Sequence, residues 1–255
     1  MSESARQALA PERNIEQQPL APAQEPTAKI SLRAVTALEI ASVLVSVIIT
    51  SWAIIPLQPR QRWLAVLPAL LAIALMINSQ RVRGESLREI GFTTRHFWRA
   101  LRLVVTPTLI ACAAFAAIGY GAGSFHRTSH FWSNLLVTPV WALIQQYVLQ
   151  GFIHRRVRFL LTKDSLAPDG RNRRKRLAIL ATAAIFSLAH TPNLALMALT
   201  FAGALIWSWA YERAPNLFAI ALSHAVISLM LMTSLPPWLL PSMSVGYKHF
   251  LYQKF

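Results

Sequence analysis

Residues 141–154 read WALIQQYVLQGFIH, with three glutamines inside an otherwise apolar run. Together with the residues before it, the run is long enough for a membrane-spanning helix, which needs about 20 mostly apolar residues. A polar side chain in such a helix is costly unless it finds a partner within the protein. At about 100° per residue, Gln146, Gln150 and His154 lie on one ridge of the helix, with Gln145 one step round. The stretch therefore predicts a membrane helix whose polar ridge faces the interior of a bundle.

The composition of the whole chain points to the same class of protein. The chain has 255 residues, of which 55% are hydrophobic and 14% are charged, whereas an average soluble domain is about 25% charged. These values exclude an ordinary water-soluble domain and a disordered chain. The single cysteine, Cys112, excludes a disulfide framework or a cysteine-based zinc site within one chain.

The distribution of apolar stretches predicts an all-α, polytopic membrane protein with about seven to eight transmembrane helices around a polar intramembrane cavity. The break at 191–193, which reads Thr-Pro-Asn, allows either an antiparallel hairpin or a re-entrant segment. The proline-rich tail has room for one more short membrane segment. The predicted spans are 34–56, 62–79, 101–122, 132–153, 177–192, 194–211 and 215–235.

These spans divide the chain into four regions. Residues 1–30 are rich in proline, glutamine and glutamate, which predicts a disordered cytosolic arm without a cleavable signal. Residues 31–83 hold two N-terminal transmembrane helices, and residues 84–235 hold the core. Residues 236–255 form a C-terminal tail or a short membrane segment.

The charges predict the orientation of the chain in the membrane. Lysine and arginine total 25 against 10 acidic residues, a net charge of +15, and they concentrate in alternate extramembrane segments starting with the arm. By the positive-inside rule the N-terminus is cytoplasmic, in a cell membrane that we expect to be a bacterial inner membrane. The basic loop at 155–176 is then a topology determinant, with binding of anionic lipid or an acidic partner as the alternative. Nucleic acid is not an expected partner, because the basic loop lacks interleaved aromatic residues and a known binding module.

Two further spans carry polar residues at helical spacing. Phe186 lies one turn before His190, and Ser228 lies one turn beyond His224. Such residues often serve only as hydrogen-bonding links between helices, at about 0.6 kcal/mol each. Their number favours one polar cavity shared by three helices. Other polar groups near span ends are expected at the interface, namely Glu39, Glu212 and His154.

The order and spacing of these residues resemble the CPBP family, the CAAX proteases and bacteriocin-processing proteins. The family pattern is E-E-x-x-x-R, then F-x-x-x-H, then H-x-x-x-N/D. Here Phe186 and His190 keep the second motif, and the third keeps His224 but has Ser228 at its last position. The first motif keeps its frame with glutamine at each position: Gln145, Gln146 and Gln150. The resemblance extends over about residues 84–232, including the flanking segments 87–92 and 201–213, so the core at 84–235 is CPBP-like.

The resemblance implies an intramembrane endopeptidase that processes membrane-associated or prenylated peptides, with membrane lipids and such peptides as its partners. Gln145 and Gln146 occupy the positions of the catalytic glutamates, and Gln150 that of the arginine. His190 and His224 occupy the positions that organise the catalytic water or a metal, supported by Phe186 and Ser228. No cofactor is implied with certainty; a divalent metal such as zinc, if bound, would be held by the two histidines.

The glutamines make hydrolysis doubtful. An amide cannot accept the proton of an attacking water, and a positioned general base contributes typically 10²–10⁴-fold. Two imidazoles also fall short of the three protein ligands usual for catalytic zinc. Because the arginine position is neutral too, the amides form a self-consistent uncharged network. Two hypotheses remain open: a peptidase with altered chemistry, in which a histidine serves as base, and a non-catalytic pseudoprotease that binds or scaffolds membrane substrates. A transporter is less favoured, because no paired half-repeats with broken helices are evident.

Overall fold

The computed structural model describes residues 31–54, 59–126, 131–162 and 168–252. Within these ranges the regular structure is helical and contains no strand, as the all-α prediction requires. The predicted arm at 1–30 lies outside the described residues. The helices are α1 (Leu32–Ile48, extended by a π-helical turn Ile49–Ile54), α2 (Val66–Val82, preceded by a 3-10 segment Pro59–Ala65), α3 (Leu87–Ile90), α4 (Phe97–Gly121), α5 (Phe131–Gln146, continued by a π-helical segment Tyr147–His154), α6 (Arg155–Leu161), α7 (Pro168–Leu188), α8 (Leu194–Arg213), α9 (Leu217–Ser234) and α10 (Tyr247–Tyr252).

Among the described residues, six helical stretches are long and apolar enough to cross a membrane. The stretches are Leu32–Ile54, Trp63–Val82, Phe97–Gly121, Phe131–Leu161, Leu194–Arg213 and Leu217–Ser234. Their outward faces are apolar, with Leu71 70% exposed and Leu136 74% exposed. Soluble monomers rarely expose such continuous apolar surface, so the chain is a membrane protein with a polytopic helical fold.

Helices α7 and α8 form an antiparallel hairpin and pack along one another. The fifth predicted span, 177–192, falls mostly in α7, whose first turns are basic and therefore reduce its mean hydropathy. The turn between the helices contains a cis peptide bond between Thr191 and Pro192. Asn193 begins α8 by accepting a hydrogen bond from the backbone N–H of Leu196 at 3.1 Å, as N-cap asparagines commonly do.

One end of the bundle contains an arginine cluster, which we define as Arg83, Arg155 and Arg156 with Glu39 and Glu85. Arg156 donates to Glu39 Oε2 at 3.1 Å and to Glu85 Oε1 at 2.8 Å. Arg83 Nη2 lies 2.9 Å from Glu39 Oε2, and Arg155 Nη2 lies 3.0 Å from Glu85 Oε1. The cluster joins α1, α2 and α6 by paired charges, which are tolerated in a low-dielectric interior only when both signs are present.

The carboxyl of Glu85 lies in the loop between α2 and α3, outside the spans. Burial raises its pKa, but the hydrogen bonds from Arg156 and Arg155 outweigh burial and leave the pKa below its ordinary value of 4.5. The carboxylate is therefore charged at neutral pH. Glu39, which we expect at the membrane interface, is bonded to Arg83 and Arg156.

The π-helical segment Tyr147–His154 places the predicted polar ridge. Gln80 donates to the carbonyl oxygen of Gly151 at 3.0 Å, which fixes the segment to α2. A Cβ atom at Gly151 would lie 2.9 Å from Cγ2 of Ile90, so only glycine allows α3 to approach this closely. π-helical turns are rare and occur often at functional sites. Here the turn lies between Gln146 and His154 and sets the direction of Gln150.

Candidate functional site

The structure contains a cavity of about 360 Å³ between α4, α5, α8 and α9. Its walls are mainly apolar side chains, including Ala111, Val137, Leu199, Ile227 and Leu231. Four of the residues singled out from the sequence line it, namely Gln145, His190, His224 and Ser228. A concave apolar space with a few polar groups is the usual form of a ligand site.

Gln146 links α5 to α9 beside this cavity. Its side chain is fully buried, and its Nε2 lies 3.1 Å from Nδ1 of His224. With the amide in this orientation the NH₂ donates and Nδ1 accepts, so a neutral His224 carries its proton on Nε2. Gln146 Oε1 is buried and accepts no hydrogen bond from the described residues. The amide therefore orients the imidazole and presents His224 Nε2–H as a donor.

His190 lies in the turn after α7 and is oriented by its own helix. Its Nδ1 is 2.6 Å from the carbonyl oxygen of Phe186. A carbonyl only accepts, so Nδ1 donates and Nε2 of a neutral His190 is left as an acceptor. The Phe186 ring lies 4.6 Å from the His190 ring and 6.1 Å from the His224 ring. The intact F-x-x-x-H spacing thus fixes the orientation of the His190 imidazole through a backbone hydrogen bond. It also places the phenyl ring of Phe186 beside both imidazoles.

Gln150 and His154 continue the predicted ridge but contact other helices. Gln150 is fully buried and donates to Ser208 Oγ at 3.0 Å, and it is not among the residues that line the cavity. His154 was expected at the interface, but it is 1% exposed. Its Nδ1 lies 3.0 Å from Thr182 Oγ1, and its Nε2 lies 3.0 Å from Glu212 Oε1. The helix thus buries all three ridge residues, while only Gln146 contacts the cavity's histidines.

Three residues beside the histidines were not found from the sequence. Trp207 lies 4.4 Å from the His224 ring, inclined by 32°, and donates from Nε1 to Ser223 Oγ at 3.1 Å. Ser223 also shares a 2.6 Å hydrogen bond with Thr108 Oγ1. Ser223 could have been found from the sequence, because it directly precedes His224. Trp207 and Thr108 lie in apolar runs, where the sequence does not distinguish them from residues that face lipid.

The donor set of the site does not fit zinc. In the described parts of the chain no three His, Cys, Asp or Glu residues come together to hold a metal. Glu39 and Glu85 lie in the arginine cluster, and Glu212 pairs with His154 and Arg158. The cavity offers two imidazoles and neutral amides, whereas protein zinc sites use thiolate, imidazole and carboxylate ligands, usually at least three of them.

Comparison with known proteins gives a match to one family model. The model for the type II CAAX prenyl endopeptidase Rce1-like family matches residues 131–230. No curated protein and no solved structure matches the chain at a significant level. The matched region begins with α5 and ends near the C-terminus of α9, so it contains both histidines and the three glutamines. Residues 131–230 are therefore similar to the Rce1-like type II CAAX prenyl endopeptidases of the CPBP family.

Proposed function

We propose that the protein binds membrane-associated peptides that carry an apolar, prenyl-like chain, and that its hydrolysis of them is slow. The observation that carries this proposal is the contrast within the cavity, where apolar walls adjoin one group of hydrogen-bonding residues, Gln145, His190 and His224. The apolar part suits a lipid chain and the polar part suits a peptide backbone. The matching family is described as a type II CAAX prenyl endopeptidase, which supports this division.

Slow hydrolysis follows from the chemistry of the amides. Water attacks a peptide carbonyl efficiently when a base removes its proton in the transition state, and a positioned base contributes typically 10²–10⁴-fold. Neither Gln145 nor Gln146 can accept that proton, because an amide is not basic at neutral pH. What the site retains is the His224 Nε2–H donor, which is suited to stabilise the oxyanion.

A second candidate function, a peptidase with altered chemistry in which a histidine serves as base, is favoured by one specific contact. The bond from His190 Nδ1 to the Phe186 carbonyl at 2.6 Å leaves Nε2 as an acceptor on a side chain that lines the cavity. An imidazole in this tautomer is able to take a proton from water. In this alternative His190 is the general base and His224 the hydrogen-bond donor, without any step through a metal.

Separate measurements of binding and cleavage test the proposal. The full chain is reconstituted in lipid vesicles and given a peptide with a C-terminal farnesylated cysteine motif. We expect wild type to bind the peptide, and the Gln145→Glu/Gln146→Glu variant to cleave it at least about 10²-fold faster than wild type. Any residual wild-type cleavage should disappear in His190→Ala and persist in His126→Ala, because His126 is exposed and its imidazole bonds to the carbonyl oxygen of Ser124 and does not line the cavity.

Each outcome has a distinct meaning. Absence of peptide binding by wild type would overturn the proposed function. Wild-type cleavage as fast as that of the double glutamate variant would show that the amides do not limit hydrolysis. Residual cleavage that survives His190→Ala would exclude His190 as the general base. Binding by wild type without any cleavage would leave a pseudoprotease that binds or scaffolds its substrates.

A further inference from the structure

The far end of the cavity is closed by a segment outside the family match, which we call the C-terminal strap and define as residues 239–246. The cavity extends along α9 from His224 to Leu231, which is about 10 Å of helix. At the Leu231 end, Met243 and Val245 of the strap complete the lining. The family match ends at residue 230, so this wall belongs to a part of the chain that the family model does not cover.

The strap is held in place by hydrogen bonds to the turn between α7 and α8. Asn193 is 2% exposed and donates to the carbonyl oxygens of Ser242 at 2.8 Å and Ser244 at 3.4 Å, on either side of Met243. The Gly246 N–H donates to the Thr191 carbonyl at 2.7 Å. These contacts fix the backbone on both sides of Met243, so its side chain is directed by the strap.

A second contact fixes the strap to α1. Gly246 has φ +59°, and a Cβ atom there would lie 2.5 Å from the Ser51 carbonyl oxygen. Both the left-handed conformation and the close approach require glycine. Leu240, which is 7% exposed, packs with Leu196, Leu231 and Leu235 under the strap. The strap is therefore a packed wall and not a loose tail.

We propose that Met243 and Val245 are specificity-determining residues that set the length of apolar chain the cavity accepts. This inference rests on the proposed function, since it concerns the lipid chain of the same substrate. The peptide end of the ligand is held beside Gln145 and His224, and the chain extends along α9 until it meets Met243. A chain that is too long must bend or leave part of itself outside the cavity.

The proposal predicts how affinity changes with chain length. Burial of one methylene contributes about 0.8 kcal/mol, which is about fourfold in affinity. Affinity should rise with each carbon, by at most about this factor because a chain drawn from lipid has already left water, until the chain reaches the strap, and then level off. The length at which it levels off is set by the side chain at position 243.

The test uses the full chain in lipid nanodiscs and a short peptide whose terminal cysteine carries S-alkyl chains of graded length. Relative to wild type, Met243→Ala and Val245→Ala should move the plateau to longer chains, and Met243→Trp should move it to shorter ones. Trp238→Phe is the matched control, because Trp238 lies close by in the chain, is 77% exposed and does not line the cavity. Its plateau should equal that of wild type.

A plateau that stays at the same length in all variants would overturn the role of the strap while leaving the proposed function intact. Failure of wild type to bind any chain length would overturn the proposed function itself, and this inference with it. A measurement on wild type guards against variants that misfold. A diazirine at the end of the plateau-length chain should label residues 239–246, and labelling confined to α5 or to lipid would overturn the proposal.

Discussion

Arg156 of the arginine cluster and the buried glutamines Gln146 and Gln150 lie on one continuous helical stretch, Phe131–Leu161, but their polar groups are compensated in opposite ways. Arg156, which is 1% exposed, carries a full charge and forms ion pairs with Glu39 and Glu85. At Gln146 and Gln150, both fully buried, the side chains are neutral amides bonded to an imidazole and a hydroxyl. The arginine cluster thus contains charges of both signs, whereas Gln146 and Gln150 and their partners form a neutral group. Removing a single charge from such a set leaves its partner uncompensated, which costs more than exchanging the whole set.

The largest effect is expected from breaking the charged region. Arg156→Met leaves Glu39 and Glu85 each with one arginine in place of two, and it should lower the free energy of unfolding by about 3–5 kcal/mol. Chemical denaturation in detergent measures this change, with Arg88→Met as control because Arg88 is exposed. An effect as small as that of Arg88→Met would mean that the cluster contributes little to stability.

A smaller effect is expected from introducing charge into the neutral region. Gln146→Glu places a carboxylate in a fully buried position beside His224, and should lower the unfolding free energy by about 2–3 kcal/mol. Adding Gln150→Arg, one turn away, should recover at least about 1 kcal/mol through coupling. A double-mutant cycle measures that coupling. Additive losses would show that the two positions do not communicate and that the joint absence of charge is coincidental.

The smallest effect concerns pH. Because the folded-state pKa of Glu85 is below its ordinary value of 4.5, its ion pairs stabilise the protein above that value. The stabilisation is lost as the pH falls through the folded-state pKa. Glu85→Gln should therefore flatten the decline of the melting temperature below about pH 4.5. Glu89→Gln is an informative comparison, since the pKa of Glu89 is lowered mainly by hydrogen bonds from Ser86, with the charge of Arg155 as a smaller cause. Equal flattening in both variants would contradict a special role for the cluster.

Much of the site was predictable because local periodicity decides which residues share a face. Gln146 and Gln150 are buried as the spacing requires, whereas His154, expected at the interface, is buried as well. The Phe186–His190 spacing gives the backbone bond that orients His190. The family resemblance was confirmed by the match to residues 131–230. The roles assigned to Gln145, Gln146, His190 and His224 in binding or catalysis stay predictions.

Other features were out of reach of sequence reasoning. Arg156 was interpreted as part of a topology signal, because its partners are 117 and 71 positions away in the chain. Trp207 lies in an apolar run, where nothing distinguishes a side chain beside His224 from one that faces lipid. The strap was an ambiguous tail, because the contacts of Asn193 and Gly246 with it depend on how distant segments meet.

The sequence alone determined that this chain forms membrane helices and that one of them buries a polar ridge, since the cost of exposing polar groups to lipid acts on each residue locally. Only the tertiary structure decided the partner of each buried group: His224 for Gln146, Ser208 for Gln150, and the two glutamates for Arg156. The physical reason is that helical periodicity fixes the direction of a side chain, while its partner depends on which helices pack together.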